Sequence, residues 1–399
     1  MSGFVGPRIV WLIRGDERWG VAQAVFGLAT TVKSKGAIPI MLAIADGPLA
    51  QRCRDSGLTT VALNMPSPPI MNGGIVHKLR VFMQLRSYSR SVAPAVTDAI
   101  IKQKADWLHF IWPDLIDIAG IAANHAEIPC TWETPTVLGN YLFGINRHIR
   151  QMQLQKYGTI PLAISRCTAE SLGNSRIKPI TIHLGVDPER FNPRTVVMRT
   201  REEFGIPANA TVLGIVARIR KGKGQLPVIE ALATMKDSHP ELHLLLAGGG
   251  IENPDDELGK QIRAAIEIHS LRNRVHLLGE IPNAESLYGI IDVPMNTLMG
   301  TEAFGLSVVE AMMMERPVLV HANGGPNETV IDGQTGWHIP AVTVPALTTG
   351  IGRALADRPR WAEMGRAARQ RAMEHFSSDK QATLFLQLVN QTRRVPPPD

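Results

Sequence analysis

The chain has 399 residues, of which 44% are hydrophobic and 20% are charged, and this composition excludes disordered and fibrous proteins. Its length predicts two domains of roughly 150–200 residues each. The net charge of +6 is uneven, because residues 1–190 hold 20 Lys and Arg against 13 Asp and Glu. This excess suggests an acidic partner, such as an anionic membrane face, a phosphate-bearing acceptor or a nucleic acid. The alternative is a soluble protein with a basic surface.

The location of the protein follows from three features. No run of about 18 apolar residues occurs, so no transmembrane helix is expected. The N-terminus lacks a basic start and a small-residue cleavage site, and residues 9–13 predict a strand rather than a signal peptide. Three cysteines, Cys53, Cys130 and Cys167, form an odd set without metal-ligand spacing, which favours a reducing compartment. We therefore expect a cytoplasmic protein.

The first half of the chain alternates strands with helices. RIVWLI, residues 8–13, predicts a strand, and a Gly-containing loop and a helix over about 21–35 follow it. IPIMLAI, ADWLHFIW, IPCTWE and TIPLAIS continue the series of strands. Near-continuous apolar strands separated by helices indicate a parallel sheet with both faces covered.

The second half repeats this pattern. TVLGIVARI, LHLLLAGGG, RVHLLGE, DVPMNTL and RPVLVHA predict strands, with helices between them over 226–237, 256–269, 284–290 and from about 304. We therefore predict an α/β protein of two Rossmann-like doubly wound domains, residues 1–187 and 188–375, facing a cleft. A helix over 376–392 is expected to pack back on the first domain, and a disordered tail is expected over 393–399. In such sheets ligands bind at the carboxyl ends of the strands.

EAFGLSVVE, residues 302–310, has a glutamate at each end with seven residues between them. Gly305 permits a close backbone approach. The helix that begins nearby offers unpaired N–H groups and a positive dipole end, which favour a phosphate. Glu302 would project beside that phosphate, and Glu310 would accept two hydrogen bonds from a ribose diol. The alternative is an amphipathic helix with two surface glutamates.

ARIRKGKGQ, residues 217–225, follows a predicted strand. The guanidinium of Arg218 and the ammonium of Lys223 suit a diphosphate, although a basic surface turn would have the same composition. LLLAGGG, ending at Gly250, is a glycine run after a strand and is weak evidence alone. No GxGxxG fingerprint occurs, which argues against a nicotinamide dehydrogenase. Without a zinc pattern or an Asp-x-Asp triplet, no metal site is expected.

These motifs occur in a characteristic order. A strand with Arg–x4–Lys–Gly precedes a strand with a Gly-rich turn, then Glu–x7–Glu, then GGPNETVIDGQTGW. The chain thereby resembles the retaining, nucleotide-sugar-dependent glycosyltransferases of the GT-B type, specifically family 4 (glycosyl transferases group 1). HLGVDPERFNP, VHLLGEIP and MGRAARQRAMEHFS also match. The resemblance covers residues 8–390 and is strongest over 211–340.

The resemblance implies a donor site in the second domain. Arg218 and Lys223 would hold the diphosphate of the donor, Glu302 would lie beside the transferred sugar, and Glu310 would bind the ribose. The other expected donor-binding residues are Gly20, Gly249, Phe304, Gly305 and Leu306. The co-substrate would be a nucleotide sugar, with a UDP-sugar favoured over a GDP-sugar, and no metal or other cofactor is expected.

The family resemblance also defines a gap on the acceptor side. Family members often have a His after the strand that here reads IPCTWETP, but Thr134 and Pro135 occupy the matching positions. His109 and Glu133 are candidate catalytic substitutes, and each would alternatively be structural. The leaving phosphate would take the proton of the acceptor during same-face attack, which retains the anomeric configuration.

The implied function is transfer of a hexosyl unit to a glycan or lipid-linked acceptor in cell-surface polysaccharide or glycolipid synthesis. Residues 76–91 carry Lys78, Arg80, Arg86 and Arg90 without an acid. They suggest either a basic helix resting on the anionic inner face of a membrane or a core-facing helix with a solvated basic face. No nucleic-acid partner is expected. The alternatives to a transferase are a nucleotide-sugar epimerase of related fold and a non-catalytic sugar-nucleotide-binding protein.

Overall fold

The computed structural model describes residues 6–69, 75–139, 145–250 and 256–393. Its contacts divide the chain into two compact units. The first unit comprises the described residues up to Gly185 together with those from Ser378 onward, and the second is Val186–Ser377. The tail predicted over 393–399 lies, apart from its first residue, outside the described part of the chain.

The described residues form thirteen strands, all paired in parallel. The first unit holds β1 (Arg8–Ile13), β2 (Ile38–Ala43), β3 (Thr59–Ala62), β4 (Trp107–Phe110), β5 (Cys130–Thr134), β6 (Ile160–Ala163) and β7 (Ile180–Thr181). The second holds β8 (Thr211–Val216), β9 (Leu242–Ala247), β10 (Val275–Gly279), β11 (Val293–Asn296), β12 (Val318–His321) and β13 (Gly336–Ile339).

Helices connect these strands. Those that follow the strands of the first unit are α1 (Trp19–Ser34), α2 (Pro48–Asp55), α3 (Ile75–Lys102), α4 (Ile116–His125), α5 (Ile145–Tyr157) and α6 (Arg166–Ser171). The second unit contains α7 (Gln225–Met235), α8 (Glu257–Ile268), α9 (Leu306–Met313), α10 (Pro326–Thr329), α11 (Val344–Ala356) and α12 (Trp361–Phe376), and α13 (Ser378–Arg393) belongs to the first. The helix predicted over 284–290 is a 3-10 helix, Ala284–Gly289.

Within the described ranges, none of these helices has the length and apolar character needed to cross a membrane.

Both sheets are doubly wound. Their strand orders are β3-β2-β1-β4-β5-β6-β7 and β10-β9-β8-β11-β12-β13. The chain starts in the middle of each sheet, builds outward to one edge, and then returns to build the other side. The loops after the two central strands therefore diverge at what we call the switch point, which lies between β1 and β4 in the first unit and between β8 and β11 in the second. The predicted class of two doubly wound α/β domains is confirmed.

The core of the first unit lies on both faces of its sheet. Alternate residues of β1 face opposite sides, as the two-residue period of a strand requires: Trp11 belongs to one cluster and Val10 to the other. The Trp11 cluster includes residues of α1 and of α13, and the ring of Phe385 on α13 lies 6.0 Å from that of Trp11. Helix α13 thus completes the core of this unit.

The second unit is built in the same way. One cluster joins β8, β9 and the apolar faces of α7 and α11, and it includes Leu213 and Leu232. A second cluster on the other face includes Val212 and Leu287. The two faces are filled by large buried side chains, which leaves the carboxyl ends of the strands to carry polar groups.

Candidate active site

The loops after β8 and β11 are bonded to each other at the switch point of the second unit. The backbone N–H of Met299 donates to the carbonyl of Gly222 at 2.7 Å. The hydroxyl of Thr297 donates to the carbonyl of Lys223 at 2.9 Å. These bonds hold the loop after β8, residues 217–225, which we call the basic loop, against the segment that leads into α9. The sequence predicted both loops at this edge but not the bonds between them.

The glycine run after β9 supports the basic loop from the other side. The carbonyl of Gly249 accepts from the N–H of Ile219 at 2.8 Å. A Cβ at Gly250 would lie 2.3 Å from the carbonyl oxygen of Ile219, and a Cβ at Gly248 would lie 2.2 Å from that of Ala217. Side chains at these positions would push the two loops apart. The structure therefore gives the run a packing reason, while donor binding by Gly249 stays a prediction.

Lys223 and Glu302 meet where these loops converge. The Lys223 Nζ lies 3.4 Å from the Glu302 Oε2, and the two side chains are 20% and 18% exposed. A cation and a carboxylate that are both partly open to solvent can exchange partners when a charged ligand arrives. The structure thus brings together two of the predicted residues that lie far apart in sequence.

The backbone of Glu302 is clamped by the turn after β12. Its N–H donates to the carbonyl of Asn323 at 3.0 Å, and its own carbonyl accepts from the N–H of Gly325 at 2.8 Å. Gly324 has a φ of +92°, and a Cβ there would lie 2.2 Å from the Glu302 carbonyl oxygen. In the sequence this Gly-Gly pair was noted only as part of a motif that matches the family. Its role in positioning the backbone of Glu302 was not predicted.

Helix α9 begins beside this clamp. Gly305 is the residue before the helix, with a φ of +90°, and Leu306 is its first residue. The first turn of a helix leaves backbone N–H groups without intrahelical partners, so this end favours an anion. The Phe304 side chain is only 2% exposed, with its ring 5.8 Å from that of Phe376. Only the backbone of Phe304 can therefore serve the predicted donor contact.

Glu310 is half-buried. Its Oε2 accepts a hydrogen bond from the Tyr288 hydroxyl at 3.3 Å, and the same hydroxyl lies 3.3 Å from the carbonyl of Ser307. Burial raises the pKa of Glu310 to about 7, although Arg190 and the Tyr288 bond act in the opposite direction. Tyr288 carries no motif in the sequence, so its contact with Glu310 was not predicted.

Arg218 and Gly20 occupy exposed positions. Arg218 lies on the same basic loop as Lys223, and its carbonyl accepts from the side-chain amide of Gln225 at 3.0 Å. Gly20 lies in the first turn of α1, the helix that follows β1 in the first unit. Both placements allow the predicted ligand contacts, which stay predictions.

His109 and Glu133 form a buried pair in the first unit. Their relative exposures are 0% and 5%, and the His109 Nε2 lies 3.9 Å from the Glu133 Oε2. The His109 ring packs edge-on against Trp11 and Phe385, and its Nδ1 is hydrogen-bonded to the Thr131 hydroxyl at 2.9 Å. Such burial argues against direct contact with a substrate. The expectation that these side chains replace the missing His stays a prediction.

Burial also decides the charge of this pair. It lowers the pKa of His109 to about 3 and raises the pKa of Glu133 to about 7. Between these values both groups are neutral, so the close contact is not an ion pair there. A neutral, enclosed pair is typical of a structural element.

No group of three or more His, Cys, Asp or Glu side chains that could hold a metal ion occurs in the part of the chain that the structure describes.

Comparison with known proteins finds a similarity within the second unit. Residues 197–371 match the family model of glycosyl transferases group 1. The match covers most of the second unit and less than half of the whole chain. The matched span contains Arg218, Lys223, Glu302 and Glu310, so the loops described above lie within it. The resemblance to glycosyl transferases group 1, predicted from the motif order, is confirmed over these residues.

Curated relatives match about half of the chain. A GDP-mannose-dependent alpha-(1-6)-phosphatidylinositol monomannoside mannosyltransferase of Mycolicibacterium smegmatis is 29% identical over 220 residues, covering 53% of this chain and 56% of the relative. The D-inositol 3-phosphate glycosyltransferase of Corynebacterium urealyticum is 28% identical over 224 residues, covering 53% of this chain and 51% of the relative. The chain thus spans about half the length of these relatives.

Solved structures match nearly the whole chain. A glycosyltransferase from Rickettsia africae has a TM-score of 0.79 at 20% identity, covering 97% of this chain and 99% of that one. The Anabaena protein HepE, in complex with UDP and glucose, has a TM-score of 0.75 at 19% identity, covering 96% and 99%. At this identity the likeness shows the fold. The chain therefore has the two-domain fold of these proteins, as the GT-B resemblance predicted.

Proposed function

We propose that the protein is a retaining glycosyltransferase that moves a hexosyl unit from a nucleotide sugar to a glycan or lipid-linked acceptor. The observation that carries the proposal is the Lys223–Glu302 pair, clamped beside the first turn of α9 inside a group 1 domain. One relative is named as GDP-mannose-dependent, and one solved neighbour holds UDP and glucose. Both support a nucleotide sugar as the donor.

The roles follow from the charges at this edge. Breaking the sugar–phosphate bond develops negative charge on the leaving diphosphate. Lys223, Arg218 and the first turn of α9 would stabilise that charge, since fixed positive groups act most strongly where charge develops. An arriving diphosphate would draw Lys223 away from Glu302. That exchange leaves the Glu302 carboxylate beside the sugar, where positive charge develops at the anomeric carbon.

Glu310 would bind the ribose of the donor. Its carboxylate can accept two hydrogen bonds, which matches a vicinal diol. Tyr288 fixes the orientation of this carboxylate through the 3.3 Å hydrogen bond. The same-face route needs no carboxylate nucleophile, because the leaving phosphate itself takes the proton of the acceptor hydroxyl.

The first test measures binding of UDP, GDP, ADP and their hexose conjugates by calorimetry, without added metal. We expect one base to bind clearly, and Glu310→Ala to weaken that binding at least about tenfold, because two charge-assisted hydrogen bonds are lost. Glu363→Ala, on an exposed position of α12, should bind like the wild type. Absence of binding for all three bases would contradict the proposal.

A second measurement separates a transferase from the two alternatives. The donor that binds is incubated with the protein and a mixture of glycan and glycolipid acceptors. We expect hexose to appear on an acceptor and nucleoside diphosphate to be released. Conversion of the donor to its epimer without an acceptor would indicate an epimerase, and binding without any turnover would indicate a non-catalytic protein.

We also propose that α3 touches an anionic membrane surface, which would suit a lipid-linked acceptor. Its Val81 and Leu85 are buried, whereas Arg80, Arg90 and Met83 are exposed, Met83 at 66%. The helix is therefore core-facing with a solvated basic face, as one of the two sequence interpretations held. Membrane contact is the further step: anionic vesicles should co-sediment the protein at low salt.

Charge reversal tests this step. Replacing both Arg80 and Arg90 with Glu should weaken vesicle binding about 30-fold or more, at about 1 kcal/mol per basic residue near the surface. Replacing Lys102, the last residue of α3, and Lys104, two residues after it, with Glu makes the same change in net charge at exposed positions. Equal losses in both double variants would show a general charge effect and not a docking face.

A further inference from the structure

The switch point of the first unit carries a polar cluster that the donor site does not use. Arg14 and Glu17 follow β1, Trp112 and Asp114 follow β4, and Arg150 lies on α5. We call these five residues the Arg14 cluster. The carboxyl ends of the two central strands are the place where doubly wound sheets bind ligands.

In one half of the cluster, the carboxylate of Glu17 is hydrogen-bonded to other residues of the same loops. The Glu17 carboxylate accepts from the backbone N–H groups of Arg14 and Gly15, at 2.7 and 2.8 Å, and from the Trp112 indole at 3.1 Å. Its exposure is only 4%. Glu17 therefore fixes the loop after β1 to the ring of Trp112 and has little capacity left for a ligand.

The other half of the cluster consists of Arg14, Asp114 and Arg150. These side chains are paired, but some of their polar atoms have no hydrogen-bond partner. The Arg14 Nη2 donates to the Asp114 Oδ2 at 2.7 Å, and the Arg14 guanidinium lies 4.3 Å from the centre of the Trp112 ring. The Arg150 Nη1 donates to the carbonyl of Pro113 at 2.8 Å, one residue before Asp114. These contacts hold two guanidinium groups and one carboxylate in fixed positions around one loop.

Three buried polar atoms of this half have no hydrogen-bond partner: the Arg14 Nε, the Arg150 Nε and the Asp114 Oδ1. A buried polar atom without a partner destabilises the folded state, and native structures contain few of them. Two donors and one acceptor without partners in one cluster would be satisfied by a molecule that both donates and accepts hydrogen bonds.

The charges define what that molecule is. Arg14 is neutralised by Asp114, and Arg150 interacts with Asp114 and Asp117. A phosphate would meet the two donors but would be repelled by these carboxylates. An amine would satisfy Asp114 only. A hydroxyl both donates and accepts, so neighbouring hydroxyls of a neutral sugar match the open atoms.

We propose that the Arg14 cluster binds a neutral sugar through vicinal hydroxyls, with Asp114 accepting and Arg14 and Arg150 donating. Half-buried Trp112 supplies an apolar border beside the sugar ring. That this sugar belongs to the acceptor of the transferase rests on the proposed function. The argument that the Arg14 cluster binds a neutral sugar does not depend on that proposed function.

The test uses the full chain and saturation-transfer NMR titrations with methyl α-D-glucopyranoside, methyl α-D-mannopyranoside and myo-inositol. We expect at least one of them to bind the wild type. Asp114→Asn should weaken that binding about tenfold or more, because an acceptor from a charged group is lost. Asp46→Asn is the matched control, since Asp46 pairs with Arg54 at the same 2.7 Å outside the cluster.

A second variant guards against a folding defect. Arg150→Lys keeps the positive charge but removes the Nε donor, and should weaken sugar binding several-fold. Thermal unfolding of each variant is recorded beside the titration. Asp114→Asn and Arg150→Lys variants that melt earlier but bind sugar within twofold of the wild type would overturn the proposal and assign the cluster a structural role.

Two more outcomes separate this inference from the transferase proposal. Nucleotide binding without neutral-sugar binding, or tighter binding of inorganic phosphate and glucose 6-phosphate, would overturn the inference and leave the transferase proposal intact. Asp114-dependent sugar binding in a protein that binds no nucleotide would support the Arg14 cluster and overturn the transferase proposal instead.

Discussion

The two switch points share a topology but differ in their electrostatics. In the second unit, Lys223 and Glu302 are 3.4 Å apart and about one-fifth exposed, and the exposed Arg218 lies on the same loop. In the first unit, Arg14 and Asp114 are 2.7 Å apart, and the Asp114 side chain is 13% exposed. The Lys223–Glu302 pair can separate when a charged ligand binds, whereas the Arg14–Asp114 pair is a short ion pair without net charge. A doubly wound sheet thus places the site, and the loops choose the ligand.

The largest effect on turnover is expected from changing either member of the Lys223–Glu302 pair. Glu302→Gln and Lys223→Met should each lower turnover about 10²- to 10³-fold, as removal of one group that stabilises transition-state charge does in other enzymes. Lys221→Met is the matched control, because Lys221 is an exposed lysine on the same loop. Steady-state kinetics with the identified donor would measure both. Turnover near wild type in either site variant would show that this pair is not the reactive centre.

The next effect concerns the clamp on Glu302. Gly324→Ala should destabilise the protein by about 2–4 kcal/mol, since it adds a side chain at positive φ and drives a Cβ into the Glu302 carbonyl. Gly333→Ala also has positive φ, at +72°, but nothing within 4 Å of its Cβ. Strain alone predicts about 1 kcal/mol for that variant. Denaturant unfolding compares the free energies of unfolding of the two variants. Equal losses of stability would show that the contact of Gly324 with the Glu302 carbonyl does not constrain this turn.

A smaller effect distinguishes the buried pair of the first unit. The pKa of Glu133 is raised to about 7 by burial, so the folded state binds more protons than the unfolded state between about pH 4.5 and 7. The stability from the neutral carboxyl is complete below about pH 4.5 and is lost as the pH rises through 7.

Glu133→Gln keeps the neutral form at every pH. At pH 8 it should exceed the wild type in free energy of unfolding by roughly 1–3 kcal/mol, and it should equal the wild type near pH 4.5. Turnover should remain within about threefold, because the burial of Glu133 argues against contact with a substrate. A loss of turnover without a change in stability would restore Glu133 to the catalytic candidates.

The smallest effect is a pH dependence of donor binding. Since burial raises the pKa of Glu310 to about 7, the carboxylate that accepts from the ribose is lost as the pH falls. Affinity for the nucleotide sugar should drop about tenfold from pH 8 to pH 6. The diphosphate diester of the donor has no group that titrates in this range. Calorimetry on Glu310→Gln should give weaker binding that no longer changes with pH.

The sequence predicted the parts of the fold that depend on local pattern. Apolar runs such as RIVWLI matched strand β1, and the start expected for α9 agrees with its beginning at Leu306. The Glu–x7–Glu spacing located both carboxylates within one short segment. These features depend on neighbours in the chain, which a single sequence contains.

What was missed depends on contacts between distant residues. Tyr288 reaches Glu310 from another element, and Gly324 holds Glu302 from the turn after β12. Arg14 and Asp114 are 100 positions apart and carry no shared motif. The burial that argues against a catalytic role for His109 comes partly from α13, whose packing no local pattern near His109 records.

Helix α13 has a consequence for how the chain is made. Ala382, Phe385 and Val389 on this helix belong to the same apolar cluster as Val25 and Leu28 on α1. During translation, α1 leaves the ribosome long before α13, and the whole second unit is synthesised between them. The first unit therefore emerges with one apolar face uncovered, and an N-terminal fragment that stops at Gly185 would expose that face and tend to aggregate.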